Sequence, residues 1–387
     1  MLNLNSINML ANLAIEAIKQ VQGARADFSI ESRIAFECKA WRSNGFSDSE
    51  IYRLNCPFGT YAIRSWPNRF DTPSKIVYWS DVNNHFDKIG NDELQRIGAV
   101  SSRPFPALYH WHPPAQSQPA LLLLNDLLWT LCDWVDGQPI ERDKVDRVLV
   151  NHLATVLGKL HFHSRKVFDH GGSVFEKSDT NHAMPSNSIR ERFQALNKVD
   201  YRLFEIVDQS PFFSAYNLAD RVKHCLAILL ERQTDWQRFL SISTNQKRDC
   251  HWIVRDLWRE NVLVDAMQHF SSIVDLGASR IDWPGLDFIR LFGSLSYGSA
   301  SSPLSSDAAI GNLWQDAHNA YTLANPSHDV SSLEECRMLS LVSNGLSIVQ
   351  WVHWIHAGTM NLKAPEKAQR VSLRIADLCD PFLAAAS

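Results

Sequence analysis

The stretch HWIVRDLWRENVLV, residues 251–264, sets Asp256 and Asn261 five positions apart between two apolar runs, Ile253-Val254 and Val262-Leu263-Val264. Fourteen residues beyond Asn261 stands Asp275, in IVDLG, again behind an apolar pair, Ile273-Val274. Short apolar runs of this kind read as buried strands, and the polar residues fall where the strands end. A hairpin would bring the three side chains together at one end. Loops held between buried strands are rigid mounts for reactive groups. Asn261 and Asp275 offer oxygen donors suited to a hard cation such as Mg2+, which takes few protein ligands and completes its shell with water and phosphate oxygens. Asp256 is then placed to orient or deprotonate a hydroxyl nucleophile. Phosphoryl transfer asks for little more, because its catalysis is mostly positioning and charge neutralisation.

The elements that must hold these residues fall into two kinds. Residues from about 28 to 135 read as β-rich: EIYRL and TYAIRSW are alternating runs separated by NCPFG, a hairpin signature in which Pro57 and Gly59 supply the turn. A helix is expected over Ser74–Ile97, stopped by Gly98, and LLWTLCDWV reads as a strand ended by Asp136-Gly137. Beyond Gly137 the period changes. Val145, Val148, Leu149, Leu153, Val156, Leu157 and Leu160 recur at helical spacing on one face, and most of the remainder reads as helix apart from the stretch around 250–277. The Ser/Pro-rich stretch near 300–330 reads as a loop. The expected organisation is an N-terminal helix over 1–24, a sheet-rich lobe over 25–135 and a helical lobe over 136–387.

A chain of 387 residues is too long for one core of ordinary size, which fits two lobes. Its formal net charge of −4 gives no basic footprint for nucleic acid. No apolar run approaches the roughly 20 residues that span a bilayer, so no membrane partner is expected. The N-terminus is mildly amphipathic, interrupted by Glu16 and Lys19, and reads as a surface-docked helix rather than a signal peptide. Seven scattered cysteines without paired spacing point to a reducing cytoplasm.

The segment VRDLWRENVLV…SSIVDLGASRIDWPGLDFIRLFGSL resembles the active-site region of the aminoglycoside phosphotransferase and choline kinase family, and is closest to a Trp-rich bacterial branch of it. That family's pattern is His-Gly-Asp-x-x-x-x-Asn, then Ile-Asp-Phe/Trp-Gly, then a further Asp. The resemblance implies an α+β, bilobal protein-kinase-like fold, with a small antiparallel-sheet N-lobe and a larger, mainly helical C-lobe. It implies Asp256 as the catalytic base, Asn261 and Asp275 as metal ligands, and Asp287 as a structural brace of the catalytic loop. Upstream, WRSNGFSDSEIYRL resembles the phosphate-covering loop, with Gly45 and Ser47 near its tip. GTYAIRSWP resembles the strand carrying the phosphate-binding cation, here Arg64, and LCDWVDG the lobe connection, where adenine meets backbone around Asp133 and Val135. VLGKLHFHS resembles the family's Leu-His helix end. The resemblance runs from about residue 35 to 295 with its motifs in order. It implies ATP or GTP with Mg2+ as cofactors, and a nucleotide and a small hydroxyl-bearing substrate as partners.

The chain departs from the pattern at three places. Val254 stands where the family has its catalytic-loop His, with His251 displaced by three positions. Arg255 replaces the usual Gly, and Arg64 replaces Lys. Arg keeps a permanent charge and a planar fork that grips phosphate. Its carboxylate partner on the following helix is either Asp87 or Asp92. These departures keep open a pseudokinase-like nucleotide-binding or scaffold protein without turnover. Other polar pairs read as structure: His161 and His163 as packed side chains, and Cys250-His251 as strand neighbours facing opposite ways. Trp258 and Trp283 flank the site and are candidates to line an acceptor pocket. The only close acidic pair after residue 287 is Glu334-Glu335, too little for an antibiotic-type cationic acceptor.

Overall fold

The computed structural model describes residues 4–23, 37–41, 50–67, 72–89, 103–109, 121–169, 183–295, 307–326, 331–360 and 362–386, with positions 94, 96 and 99 besides. The chain opens with helix α1 (Leu4–Gly23) and strands β1 (Glu37–Trp41), β2 (Ile51–Cys56) and β3 (Gly59–Pro67). Helix α2 (Thr72–Lys88) and strands β4 (Leu108–Tyr109), β5 (Leu122–Leu124), β6 (Leu127–Asp133) and β7 (Gln138–Pro139) follow. Helix α3 (Arg147–Asp169), β8 (Ala183–Pro185) and helices α4 (Asn187–Leu196), α5 (Arg202–Gln209), α6 (Pro211–Ala215), α7 (Ala219–Glu231) and α8 (Gln233–Asn245) come next. The final third holds β9 (Lys247–Asp249), β10 (His251–Ile253), β11 (Val262–Val264), β12 (Phe270–Ile273), β13 (Arg280–Asp282) and helices α9 (Gly285–Leu295), α10 (Asp307–Ala324), α11 (Leu333–His356) and α12 (Pro365–Ala386).

Two compact units emerge. The first comprises Met1–Ile140, Lys159–Thr180 and Trp258–Arg280; the second comprises Glu141–Gly158, Asn181–Leu257 and Ile281–Ser387.

The first unit is built on a six-stranded antiparallel sheet in the order β1-β2-β3-β6-β4, with β5 also on β6. The expected hairpin is present, with Cys56 paired to Gly59 across Pro57-Phe58. Alternation decides which face each side chain takes. Tyr52, Leu54, Tyr61, Ile63, Trp129 and Leu131 share one face and pack against Leu10, Ala11, Ala14, Ile15, Ala17 and Ile18 of α1. Those α1 residues are spaced to form one helical stripe. Each large apolar side chain buried there contributes about 1.5–3 kcal/mol. Arg64 and Trp66, one step out of phase with Ile63, are therefore carried on the opposite face. The same unit contains a three-stranded sheet in the order β12-β11-β7. Gly137, just before β7, has φ +154, and a Cβ there would stand 3.1 Å from Leu263 Cβ and 3.2 Å from Val264 O. Only glycine allows that approach without strain.

In the second unit, Leu149, Leu153, Val156 and Leu157 of α3 are buried as the spacing predicts. Val148 is not: it is 76% exposed, and Val150 and Ala154 take the inward positions instead. The Ser/Pro-rich stretch also departs from the loop reading, since residues 307–324 form α10. Helix α9 is buried along almost its whole length, Arg290 being the half-buried exception. Among the described residues no helix is long and apolar enough to cross a membrane.

Candidate active site

The β11–β12 hairpin brings Asn261 and Asp275 to one end. Val262 pairs with Ile273, and one step beyond, the Val274 N–H donates to the Asn261 carbonyl at 2.9 Å. Asp275 follows directly, in a left-handed conformation (φ 64, ψ 65) that Asp tolerates better than most residues. The donor set is an amide oxygen and a carboxylate, both hard ligands. Among the described residues no group of three or more His, Cys, Asp or Glu could form a metal cage. A two-ligand oxygen site is the kind Mg2+ uses when phosphates complete its shell.

Two cations converge on the loop after β12. Arg64 Nη2 lies 2.5 Å from Asp275 Oδ1, and its guanidinium sits over the Trp66 ring at 4.2 Å. Lys75 of α2, itself buried, donates from Nζ to the Gly277 carbonyl at 3.0 Å. One helical turn on, Trp79 Nε1 donates to Ser279 Oγ at 3.0 Å. Residues i and i+4 share a helix face, so α2 grips the loop at two points. This corrects the expected partner of Arg64. Asp87 is occupied by Arg103, in a fork with contacts of 2.8 and 3.1 Å, and it holds the Arg103 guanidinium above its ordinary range. Asp92 lies outside the described residues, as do Gly45 and Ser47. Lys75 was not foreseen, because a lone Lys near a helix start reads as solvated surface.

At the end of β6 the Asp133 carboxylate accepts from Tyr109 Oη at 2.7 Å, and the Asp133 and Trp134 N–H groups donate to the carbonyls of Ala107 and Thr60. Burial, and then the Asp133 contact, push the Tyr109 phenol above its ordinary range. Asp133 is thus tied into the first unit by side chain and N–H alike. The Val135 N–H has no backbone partner among the described residues.

Asp256 sits on a tight turn within the second unit. Its N–H donates to the Val254 carbonyl at 2.9 Å, and the central residue, Arg255, has φ 69. That pattern is the rare, strained form of the γ-turn, which persists only where its surroundings over-determine it. The determinant is Asp287, fully buried in the first turn of α9. Its two oxygens accept from the Val254 N–H at 2.8 Å and the Arg255 N–H at 2.6 Å. One turn later on α9, Arg290 Nε stands 3.7 Å from Asp256 Oδ1. Val254 is buried core. His251 does not replace the missing His, since it is buried with Nδ1 at 2.9 Å from the Trp252 carbonyl.

Several other candidates resolve as structure. Cys250 Sγ reaches the Met184 carbonyl at 3.6 Å, and His251 Nδ1 faces the Trp252 carbonyl. His163 is buried and meets His85 at 3.2 Å, and His161 is buried. Trp283, a candidate pocket wall, lies buried beneath the Arg248 guanidinium at 4.3 Å. Glu335 forms no acidic pocket, because it pairs with that same Arg248 at 2.5 Å and accepts from Ser243 at 2.8 Å.

An antiparallel sheet in the N-terminal region followed by a mainly helical remainder is a protein-kinase-like fold. The model of the phosphotransferase enzyme family (APH) matches residues 91–322, more than half of the chain, and the chain belongs to that family. Its structure is similar to one assigned as an aminoglycoside phosphotransferase from Ralstonia eutropha JMP134, at 11% identity and TM-score 0.52, covering 95% of this chain and 98% of that one. An aminoglycoside phosphotransferase from Alicyclobacillus acidocaldarius aligns at 13% identity and TM-score 0.47, covering 94% and 98%. Choline kinase from Cryptosporidium parvum Iowa II aligns at 13% identity and TM-score 0.46, covering 96% and 97%. At these identities the likeness is one of fold, and it rests on the first. No curated protein matches the chain.

Proposed function

We propose that the protein transfers the γ-phosphate of ATP, or of GTP, to a hydroxyl group of a small molecule, with Mg2+ held by Asn261 and Asp275. The observation that carries this reading is the Asp287 clamp. A strained loop fixed by a buried carboxylate is what a positioned reactive side chain requires, and Asp256 is the residue it positions. Asp256 orients the acceptor hydroxyl and takes its proton as the oxygen attacks the γ-phosphorus, whose bond to the β,γ-bridging oxygen breaks to release the nucleoside diphosphate. Arg64 and Lys75 supply positive charge beside the Asp275 loop, where the phosphates would lie. Mg2+ held by Asn261 and Asp275 would neutralise charge on the transferred phosphate. The Val135 N–H is offered to the nucleotide base, and the Gly45–Ser47 segment is proposed to cover the phosphates.

The reading without turnover rested on Val254 and Arg64. Two features favour catalysis over it. The loop is braced by Asp287 without any contribution from a His at 254, and Arg64 keeps a cation beside Asp275. Asp256→Asn is the direct test. It is expected to lower turnover by about 10²–10⁴-fold while nucleotide binding persists. Wild-type turnover in that variant would remove Asp256 from the role of base.

A further inference from the structure

The register of the six-stranded sheet fixes which side chains line its face turned away from α1. Ile51, Arg64 and Thr130 stand level across β2, β3 and β6, and two residues further along Arg53, Ala62 and Cys132 do the same. Two residues of strand set these rows roughly 7 Å apart. The next row holds Asn55, Thr60 and Trp134, whose N–H donates to the Thr60 carbonyl at 3.1 Å and so continues the β3–β6 ladder. Asp133, between Cys132 and Trp134, points the other way, to Tyr109, which packs against the α1-facing core. Alternation therefore puts Trp134 on the same face as Arg53 and Arg64.

Arg53 reaches across this face. Its guanidinium carbon stands 4.7 Å from the centroid of the Trp134 ring. Strands β2 and β6 lie two strand spacings apart, roughly 10 Å, so the contact passes over β3 at Ala62 and Thr60, and Ala62 contributes only a methyl group there. On neighbouring β1, Glu37 accepts from Asn55 and pairs with Lys39 at 2.5 Å. Arg53, Ala62 and Trp134 are each half-buried, so the contact is held by the fold and still presents surface. Its place along the face has a chemical meaning. Arg64, beside Asp275, marks the end proposed for the phosphates, and Val135, next to Trp134, marks the end proposed for the base. The Arg53–Trp134 pair stands at the base end. Nucleobases stack on indole rings and on guanidinium planes alike. Stacking engages the planes of these groups and not their N–H edges, so it does not depend on which oxygens those edges meet.

We infer that Arg53 determines how the donor nucleotide is held: the purine base stacks against the Arg53–Trp134 pair, gripped on its π face by a guanidinium as well as at its edge by the Val135 N–H. This deepens the phosphotransferase reading and rests on it for the place of the nucleotide. The two arginines of the face then divide the ligand between them, Arg64 serving the phosphates and Arg53 the base. An apolar side chain at position 53 would offer contact area without the attraction of a cation for the ring.

The test compares two ligands on the full chain, MgATP and Mg-tripolyphosphate, which has the phosphates without the base. Binding is followed by thermal unfolding over a range of ligand concentrations, and MgGTP is run beside MgATP as the second purine. Arg53→Leu is expected to weaken binding of either nucleotide by about tenfold and to leave the response to tripolyphosphate unchanged. That unchanged response also shows that the variant is folded. Arg53→Lys, which keeps the charge and loses the plane, is expected to fall between, and Trp134→Leu to weaken the nucleotides and not tripolyphosphate. An Arg53→Leu variant that binds both nucleotides as the wild type does would overturn the inference. So would equal weakening of nucleotide and tripolyphosphate, which would make Arg53 a phosphate ligand. Failure of the phosphotransferase reading looks different: the wild type itself would respond neither to the nucleotides nor to tripolyphosphate, and both readings would fall together.

Discussion

Asp287 braces the Asp256 loop from the first turn of α9. It fixes two consecutive N–H groups of a turn whose central residue is held at φ 69. A left-handed Arg costs about 1–3 kcal/mol, and the buried charge-assisted hydrogen bonds offset it. Asp287→Asn keeps the size of the side chain but replaces one acceptor oxygen with a donor that faces an N–H. The loop is expected to relax, stability to fall by about 1–3 kcal/mol, and kcat to drop far more than nucleotide affinity. Steady-state kinetics with nucleotide as the varied substrate would check this, and an unchanged kcat would show that the brace is dispensable. Arg64 makes a contrasting case. It departs from Lys, yet it keeps a permanent cation in place: its guanidinium stands over the Trp66 ring at 4.2 Å while Nη2 reaches Asp275.

Most of the positioning elements were legible because they rest on short-range signals. The alternating runs about Pro57 and Gly59 announced the β2–β3 hairpin, and the apolar pairs around Asn261 and Asp275 announced the hairpin that joins them. The misses have physical reasons. Val148 satisfies the spacing of α3, but it opens the helix on its outward side, and periodicity alone does not fix the phase of a stripe that also contains Val150 and Ala154. Lys75 and Arg290 work through partners far along the chain, and a basic residue on a helix carries no sign of such a partner. Glu335 was read as part of an acidic pair and proves to anchor the start of α11 against Arg248. Burial disfavours its charged form, but the Ser243 hydroxyl and the Arg248 guanidinium outweigh that and hold its carboxyl below the ordinary value of 4.5. A carboxyl lowered in the folded state contributes stability that is complete above its unfolded value and lost as pH falls through the folded one. Glu335→Gln is therefore expected to cost about 3 kcal/mol at neutral pH. The gap from wild type should close as pH falls below the ordinary carboxyl range. Denaturant unfolding at several pH values would show it, and a pH-independent gap would exclude the ion pair as its source.

At the scale of the whole molecule, the family establishes a phosphotransferase, and the first unit carries every group proposed to meet nucleotide and metal. Arg64, Lys75, Asn261 and Asp275 are joined by contacts inside that unit. The most direct measurement is thermal unfolding of the purified protein with ATP alone, Mg2+ alone and both, for the wild type and for Asp275→Ala. A ligand that binds only the folded state raises its apparent stability, by about 2.7 kcal/mol at a hundredfold excess over Kd. The predicted result is a shift that requires ATP and Mg2+ together and disappears in Asp275→Ala. A wild-type protein whose unfolding is unmoved by millimolar ATP and Mg2+ would contradict the account.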